Sequence, residues 1–159
     1  MPPIRIPRSQ DDETKFDLDS EVLHELKEKA IAAKGVAYCP YSHFRVGCAL
    51  LTEDETIITG ANVECASYNV GTCAERCALA KAVTEGHTKF KAVAVSTDIT
   101  PPASPCGMCR QFIREFCPLQ MPVFMYDRDG NYVVKTLEEL LPMSFGPEDL
   151  RRGDGRGEL

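Results

Sequence analysis

Three cysteines at the starts of two predicted helices constrain the fold of this chain more than any other feature. Cys106 and Cys109 form a Cys-x-x-Cys pair directly after Pro105. If a helix begins at Cys106, both thiols can face one point about one turn apart, and the helix N-terminus favours their thiolate form. Cys73 opens the helical segment 73–85 in the same way. The spacing therefore predicts that two helix N-termini meet where three thiolates converge.

A glutamate beside the first of these cysteines makes the cluster typical of a catalytic metal site. A structural zinc site usually has four protein ligands, whereas a catalytic site has three and keeps one position for water. Glu75 lies two residues after Cys73, where its carboxylate can contact that water without binding the metal. Zinc deaminases use this layout, with one histidine and two cysteines or, as here, three cysteines. The pattern predicts one Zn²⁺, with Glu75 as the catalytic acid and base.

The charge of such a site predicts neighbours that donate hydrogen bonds. Three thiolates and Zn²⁺ carry a net negative charge, which weakens the metal as a Lewis acid and raises the pKa of its water. Arg76 directly follows Glu75 and can donate N–H groups to a ligand sulfur. Arg110 and Gln111, which follow Cys109, are further candidates for this role. A solvated position on the helix is an equal alternative for Arg76.

Two other roles for the cysteines are open on spacing alone. The Cys-x-x-Cys pair could be a redox pair, but the thioredoxin-like context that such a pair requires is missing. A structural zinc site would need a fourth ligand, such as Cys65 or Cys77. The remaining cysteines are most simply small reduced core residues, and surface or structural roles are the better interpretation of the histidines. These residues are Cys39, Cys48, Cys77, Cys117, His24, His43 and His87.

Composition and charge argue against several kinds of partner. The chain has 159 residues, a net charge of -6 and a sequence pI near 5.1, and it has no cluster of lysines and arginines. A surface that binds nucleic acid normally shows such a cluster, so we expect no nucleic-acid partner. No apolar run approaches the ~18 residues that span a bilayer, and the N-terminus lacks the apolar segment of a secretory signal. We expect a soluble cytoplasmic protein without a membrane partner.

Hydrophobic periodicity predicts one α/β domain between two short extensions. Residues 1–16 are rich in proline and lack periodicity, which predicts a flexible arm, and the glycines of residues 151–159 predict a frayed tail. The domain, residues 17–150, has the predicted order α-β-β-α-β-α-β-β-α, which is typical of layered α/β packing. The expected helices are 19–35, 73–85, 106–116 and 137–141, and the expected strands are 44–50, 56–63, 90–96, 123–126 and 132–135.

Several motifs around the cysteine cluster carry a resemblance to a known family. They are Tyr41-Ser42-His43-Phe44-Arg45-Val46-Gly47, Asn62-Val63-Glu64, Cys73-Ala74-Glu75-Arg76, Pro105-Cys106-Gly107-Met108-Cys109-Arg110-Gln111, Glu138-Glu139-Leu140-Leu141-Pro142 and Phe145. With them the chain resembles the small homotetrameric cytidine deaminases from about residue 23 to residue 150. One position departs from the family pattern, because Cys65 stands where members usually have asparagine, and a thiol does not replace the hydrogen bonds of an amide.

The resemblance implies a fold, an assembly and a set of substrate contacts. The fold would be an α/β three-layer sandwich, a mixed five-stranded sheet flanked by helices, with zinc between two helix N-termini. The assembly would be a homotetramer with shared active sites. The substrate contacts would be Phe44 on the pyrimidine, Asn62 and Glu64 on the ribose hydroxyls, and Tyr68, Phe145 and the backbone near Ala66 in a neighbouring subunit's pocket.

The activity implied by the resemblance is deamination of free cytidine, and of deoxycytidine, to the uracil nucleoside and ammonia in pyrimidine salvage. Asn62 and Glu64, one residue apart at a strand end, point to one face and supply donor and acceptor groups for a diol. Glu64 would repel phosphate, which argues against deoxycytidylate. A deaminase of blasticidin-type antibiotics is the alternative that shares this scaffold. A non-catalytic zinc module for protein binding is the second alternative, and Glu75 argues against it.

Overall fold

The computed structural model describes residues 15–154, and within them no helix combines the length and apolar composition that crossing a membrane requires. The helices are α1 (Ser20–Ala33), α2 (Ala74–Thr84), α3 (Gly107–Phe116), α4 (Leu137–Leu140) and α5 (Pro147–Asp154). The strands are β1 (Val46–Thr52), β2 (Ile57–Ala61), β3 (Phe90–Thr97), β4 (Pro122–Tyr126) and β5 (Tyr132–Thr136). They form one sheet in the order β2-β1-β3-β4-β5, in which β3 and β4 run parallel and the other neighbours antiparallel.

Alternating side chains divide the core into two halves, one on each face of this sheet. In β1, Cys48 and Leu50 pack with residues of α2 and α3, whereas Ala49 and Leu51 pack with residues of α1. A strand buried on both faces has this pattern, because successive side chains point to opposite sides. The result is three layers, with helices on both faces of a mixed five-stranded sheet. This arrangement confirms the predicted α/β sandwich.

Two glycines let helices lie directly against the sheet. A Cβ atom on Gly47 would lie 2.1 Å from the carbonyl oxygen of Ala30 in α1, and one on Gly60 would lie 2.5 Å from the backbone nitrogen of Ala78 in α2. Side-chain carbons do not approach backbone this closely, so both positions require glycine. The contact at Gly60 holds α2 against β2, and thereby helps to fix Cys73 at the start of α2.

The directions of the strands bring two helix N-termini to the same edge of the sheet. Both β2 and β3 are antiparallel to β1, so their carboxyl ends lie at one edge. In the chain, α2 follows β2 and α3 follows β3. The start of β1 lies at this edge as well. The topology therefore gathers segments that are distant in sequence, and it explains how Cys73 can meet Cys106.

The ends of the domain differ from the sequence-based expectation. Within the predicted arm, residues 1–14 lie outside the described residues, but Phe16 packs edge-on against Phe124 with their ring centroids 6.2 Å apart. At the other end, α5 continues to Asp154, so the predicted limit at residue 150 falls inside a helix, and residues 155–159 lie outside the described residues. Proline at the first position and acidic residues in the first turn favour this helix.

Candidate active site

Three cysteine sulfurs meet where α2 and α3 begin. Cys73 is the N-cap residue of α2 and Cys106 that of α3, and neither side chain caps its own helix. Their sulfurs lie 3.9 Å apart, and with the sulfur of the buried Cys109 they form a group within 4.8 Å of one another. Thiolates are ligands that zinc prefers, and three of them leave one position of a tetrahedral ion open. The donor set fits a catalytic zinc ion.

The thiols of Cys73 and Cys109 shift each other's pKa in opposite directions. A hydrogen bond with Cys109, supported by contacts with Arg76 and Cys106, lowers the pKa of the Cys73 thiol to about 5. The same hydrogen bond raises the pKa of Cys109, which burial raises further. The Nη2 atom of Arg76 lies 3.9 Å from the Cys73 sulfur and 3.4 Å from the carbonyl oxygen of Gly71. Arg76 thus lies where it can withdraw charge from the sulfur, which is one of the two roles that its sequence position leaves open.

Glu75 is a buried carboxyl group beside the sulfurs. Only 3% of its surface is exposed. Burial raises the pKa of Glu75, and the charge of Cys73 adds to this effect, while a hydrogen bond with Cys109 acts in the opposite direction. A desolvated carboxyl group with a specific charged neighbour is typical of a residue that transfers protons.

A groove with a volume of about 730 Å³ opens beside Cys73. This volume suits a small organic ligand. Three of the residues predicted to bind substrate line the groove, namely Asn62, Glu64 and Tyr68, whereas Phe44, Ala66 and Phe145 are outside its lining. The lining residues are Tyr41, Ser42, Asn62, Val63, Glu64, Cys65, Tyr68, Asn69, Gly71, Thr72, Cys73, Arg76 and Met108.

The side chains of Asn62 and Glu64 are both bound to the segment that precedes β1. The Asn62 amide accepts a hydrogen bond from the Val46 backbone at 2.8 Å and donates one to the Phe44 carbonyl at 2.8 Å. The Glu64 carboxylate accepts from the Tyr41 backbone at 2.9 Å. It also accepts from the backbone and the hydroxyl of Ser42, whose hydroxyl bond contributes most to lowering the pKa of Glu64. Each side chain therefore shapes the groove and also lines it.

Arg110 and Gln111, two polar residues of the Pro105–Gln111 motif, donate hydrogen bonds to the loop before Cys106 and to the C-terminal segment. Gln111, predicted to support the thiolates, donates to the Phe145 carbonyl at 2.9 Å, so its amide is directed at the C-terminal segment. Arg110 donates to the carbonyl of Pro105, the hydroxyl of Ser104 and the carbonyl of Leu140, each at 2.7 Å. These bonds fix the loop that carries Cys106. Sequence spacing has no signal for the carbonyls of Phe145 and Leu140, because they lie 34 and 30 residues from their donors.

Other groove residues carry weak signals in the sequence. Ser42 belongs to the Tyr41–Gly47 motif, but its hydroxyl becomes informative only with Glu64 beside it. Thr72 directly precedes Cys73 and Met108 directly precedes Cys109, and neither side chain has a distinctive chemistry of its own. Tyr68 is 79% exposed, and its ring lies 6.1 Å from that of Tyr41, which places it at the rim of its own chain's groove.

Comparison with known proteins gives one consistent result. A family model described as the cytidine and deoxycytidylate deaminase zinc-binding region matches residues 20–125, in agreement with the predicted zinc cofactor. A cytidine deaminase of Sporosarcina psychrophila is 50% identical over 127 residues, which cover 77% of this chain and 93% of that protein. One of Halalkalibacterium halodurans is 46% identical over 125 residues, covering 79% and 95%. The crystal structure of a cytidine deaminase from Burkholderia pseudomallei matches with a TM-score of 0.75 and 42% identity, covering 77% of this chain and 98% of that one.

Proposed function

This chain belongs to the cytidine and deoxycytidylate deaminase zinc-binding family, and we propose that it converts free cytidine, and deoxycytidine, to the uracil nucleoside and ammonia in pyrimidine salvage. The observation that carries this proposal is the buried Glu75 carboxyl group beside three sulfurs that lie within 4.8 Å of one another. A zinc module that only binds proteins has no use for this carboxyl group. The juxtaposition supports hydrolytic deamination.

Glu75 moves the protons in the proposed reaction. Cys73, Cys106 and Cys109 would hold one zinc ion, which when bound supplies Lewis-acid activation of water. The Glu75 carboxylate accepts a proton from the attacking water and delivers it to N3 of the cytosine ring. As the C4–N bond breaks, Glu75 delivers the second proton of the water to the departing amino group. Ammonia leaves, the new oxygen stays on C4, and a uracil ring remains.

The groove supports recognition of an unphosphorylated ribose. The hydrogen bond to Phe44 uses one of the two N–H groups of Asn62, and the other can donate to a ribose hydroxyl. The lowered pKa of Glu64 keeps its carboxylate ionised at neutral pH, so it accepts hydrogen bonds from hydroxyls and repels a phosphate. Phe44 would pack against the pyrimidine. These groups favour a nucleoside over deoxycytidylate.

The surface around the groove supports assembly with further copies of the chain. Several large apolar side chains are exposed there, among them Tyr38, Tyr41, Val63, Tyr68 and Val70. Exposed large apolar side chains close to a groove are typical of an interaction site. In the proposed homotetramer, Tyr68, Phe145 and the backbone near Ala66 of one subunit complete the groove of its neighbour. Phe145, which is 57% exposed, lies outside the lining of its own groove among the described residues.

The state of the cysteines supports a reducing location, and we assign the protein to the cytoplasm. All eight cysteines are free thiols. Disulfides are rare in that compartment because its thiol systems keep cysteines reduced. A zinc site of three thiolates also depends on reduced ligands.

A panel of cytosine compounds tests the proposed activity. Purified protein of known zinc content is incubated with cytidine, deoxycytidine, deoxycytidylate, a blasticidin-type antibiotic and a cytosine-containing oligonucleotide, while the loss of cytosine absorbance is followed. We expect turnover of the two nucleosides and little of the others. Turnover of the antibiotic alone would show that the antibiotic, and not cytidine, is the substrate. Absence of ammonia from every compound, with zinc bound, would indicate a non-catalytic module.

A further inference from the structure

The segment of residues 144–149 is tied to the helix whose first turn carries two of the three cysteines. Along α3, Gln111 donates to the Phe145 carbonyl at 2.9 Å. One turn further, Arg114 donates through Nε to the Ser144 hydroxyl at 2.9 Å and through Nη2 to the Glu148 carboxylate. The backbone and side chains on both sides of Phe145 are thus held by one helix face.

Arg114 is the centre of these contacts. Its side chain is 6% exposed, so its charge is almost entirely withdrawn from water, and the ion pair with Glu148 compensates for that loss. The guanidinium also lies directly against Gly146, where a Cβ atom would come within 2.2 Å of its Nη2 atom. A buried arginine that fills the space beside Gly146 and bonds Ser144 before it and Glu148 after it restricts how this segment can move.

The segment also has a defined conformation of its own. The Gly146 backbone nitrogen donates to the Asp149 carboxylate at 2.9 Å, and the Asp149 nitrogen donates to the Gly146 carbonyl at 3.0 Å. These reciprocal bonds begin α5. Phe145, one residue earlier, nevertheless keeps 57% of its surface exposed. An exposed aromatic ring on firmly held backbone is suited to contact a partner at little entropic cost.

We infer that Arg114 is a positioning residue for Phe145, holding the 144–149 segment so that the ring is directed into the substrate groove of a neighbouring subunit. The inference rests on the proposed function, in which Phe145 completes that groove. Arg114 is neither one of the residues that line the groove nor one of the three clustered cysteines. Its effect should therefore appear in the binding of substrate and depend on the presence of the Phe145 ring.

A double-mutant cycle tests this inference. The single variants are Arg114→Gln, Glu148→Ala and Phe145→Ala. The double variants combine Phe145→Ala with Arg114→Gln or with Glu148→Ala. All are made in the full zinc-loaded protein. Glu115→Ala is the matched control, because Glu115 is an exposed acidic residue on the same helix. Zinc content and oligomeric state are measured for each variant. Should Arg114→Gln fail to fold, Glu148→Ala carries the measurement, since the Glu148 side chain is 45% exposed.

We expect Arg114→Gln and Glu148→Ala to raise KM for cytidine about tenfold with kcat nearly unchanged, as for the loss of one binding contact. In the Phe145→Ala background the same substitutions should change KM by less than about twofold, because non-additivity marks residues that act through each other. If the fold-changes in KM of the single variants simply multiply in the double variants, the inference is overturned. A loss of kcat with unchanged KM would do the same. An inactive parent protein would instead overturn the proposed function.

Discussion

The side chain of Asn62 donates a 2.8 Å hydrogen bond to the carbonyl oxygen of Phe44, eighteen residues earlier in the chain. Its carbonyl oxygen accepts from the Val46 backbone at the same time. The single amide of Asn62 therefore holds the backbone at the start of β1, including the carbonyl of Phe44. A residue predicted only to bind ribose also holds the backbone that shapes the site.

Replacing Asn62 by alanine should weaken both folding and substrate binding. The substitution leaves a partly buried N–H of Val46 and carbonyl of Phe44 without partners, which costs about 1–3 kcal/mol of unfolding free energy. Urea unfolding and KM for cytidine measure the two effects. Gln120→Ala, which removes an exposed amide, is the control and should change neither. An Asn62→Ala protein with unchanged stability and raised KM would show that Asn62 acts on the substrate alone.

Removing a cluster cysteine should release zinc, whereas removing a core cysteine should not. Cys106→Ala leaves two sulfurs, and because metal binding is coupled to folding, both zinc content and melting temperature should fall. Cys117→Ala is the matched variant, since burial raises the pKa of Cys117 to about 12 and keeps it a protonated core thiol. Elemental analysis after dialysis against a weak chelator measures the difference. Full zinc retention by Cys106→Ala would exclude Cys106 as a ligand.

Glu64 should discriminate nucleosides from nucleotides. Glu64→Gln removes the negative charge but can keep a hydrogen bond with Ser42. We expect KM for cytidine to rise and the ratio of kcat/KM for cytidine to that for its monophosphate to fall by about tenfold, as expected when one repulsive charge is removed. Glu53→Gln, an exposed substitution on the β1–β2 turn, is the control. An unchanged ratio would mean that Glu64 does not set this preference.

The end of β3 should make stability depend on acidic pH. Burial opposes ionisation of Asp98, but hydrogen bonds from Arg45 at 2.7 Å and Lys34 at 3.0 Å outweigh it, so the pKa of Asp98 lies below its usual value of 3.8. The stabilisation is present above the unfolded pKa and is lost as pH falls through the folded one. Between pH 5 and pH 3 the wild-type protein should lose more unfolding free energy than Asp98→Asn. Equal losses of unfolding free energy in the two proteins would contradict the role assigned to Asp98.

Much of the site was accessible from sequence because its chemistry is local. Cysteine at the start of a predicted helix, with glutamate two residues later, predicts a metal cluster and a proton carrier before the fold is known. The convergence of Cys73 and Cys106 depends in addition on the strand directions, which bring the two helix starts to one edge of the sheet.

Contacts between distant segments were not accessible in the same way. Gln111 has the sequence position to support the sulfurs, but in the folded chain its amide donates to the Phe145 carbonyl of the C-terminal segment. The helix α5 was missed because Gly153 within it and Gly155 and Gly157 after it suggested a frayed tail, although Pro147 and the acidic first turn favour a helix. Tertiary packing decides such cases, since Arg114 and Glu148 meet only in the folded chain.

The most direct test of zinc-dependent deamination through Glu75 is the zinc content and cytidine turnover of Glu75→Ala, measured together beside Glu115→Ala. Glu75 touches the cluster without being one of its sulfur ligands, so the variant should keep its zinc. It should lose turnover by at least the 10²–10⁴-fold that a general acid–base group typically contributes, while Glu115→Ala keeps both. Wild-type turnover by a zinc-loaded Glu75→Ala protein would contradict the account.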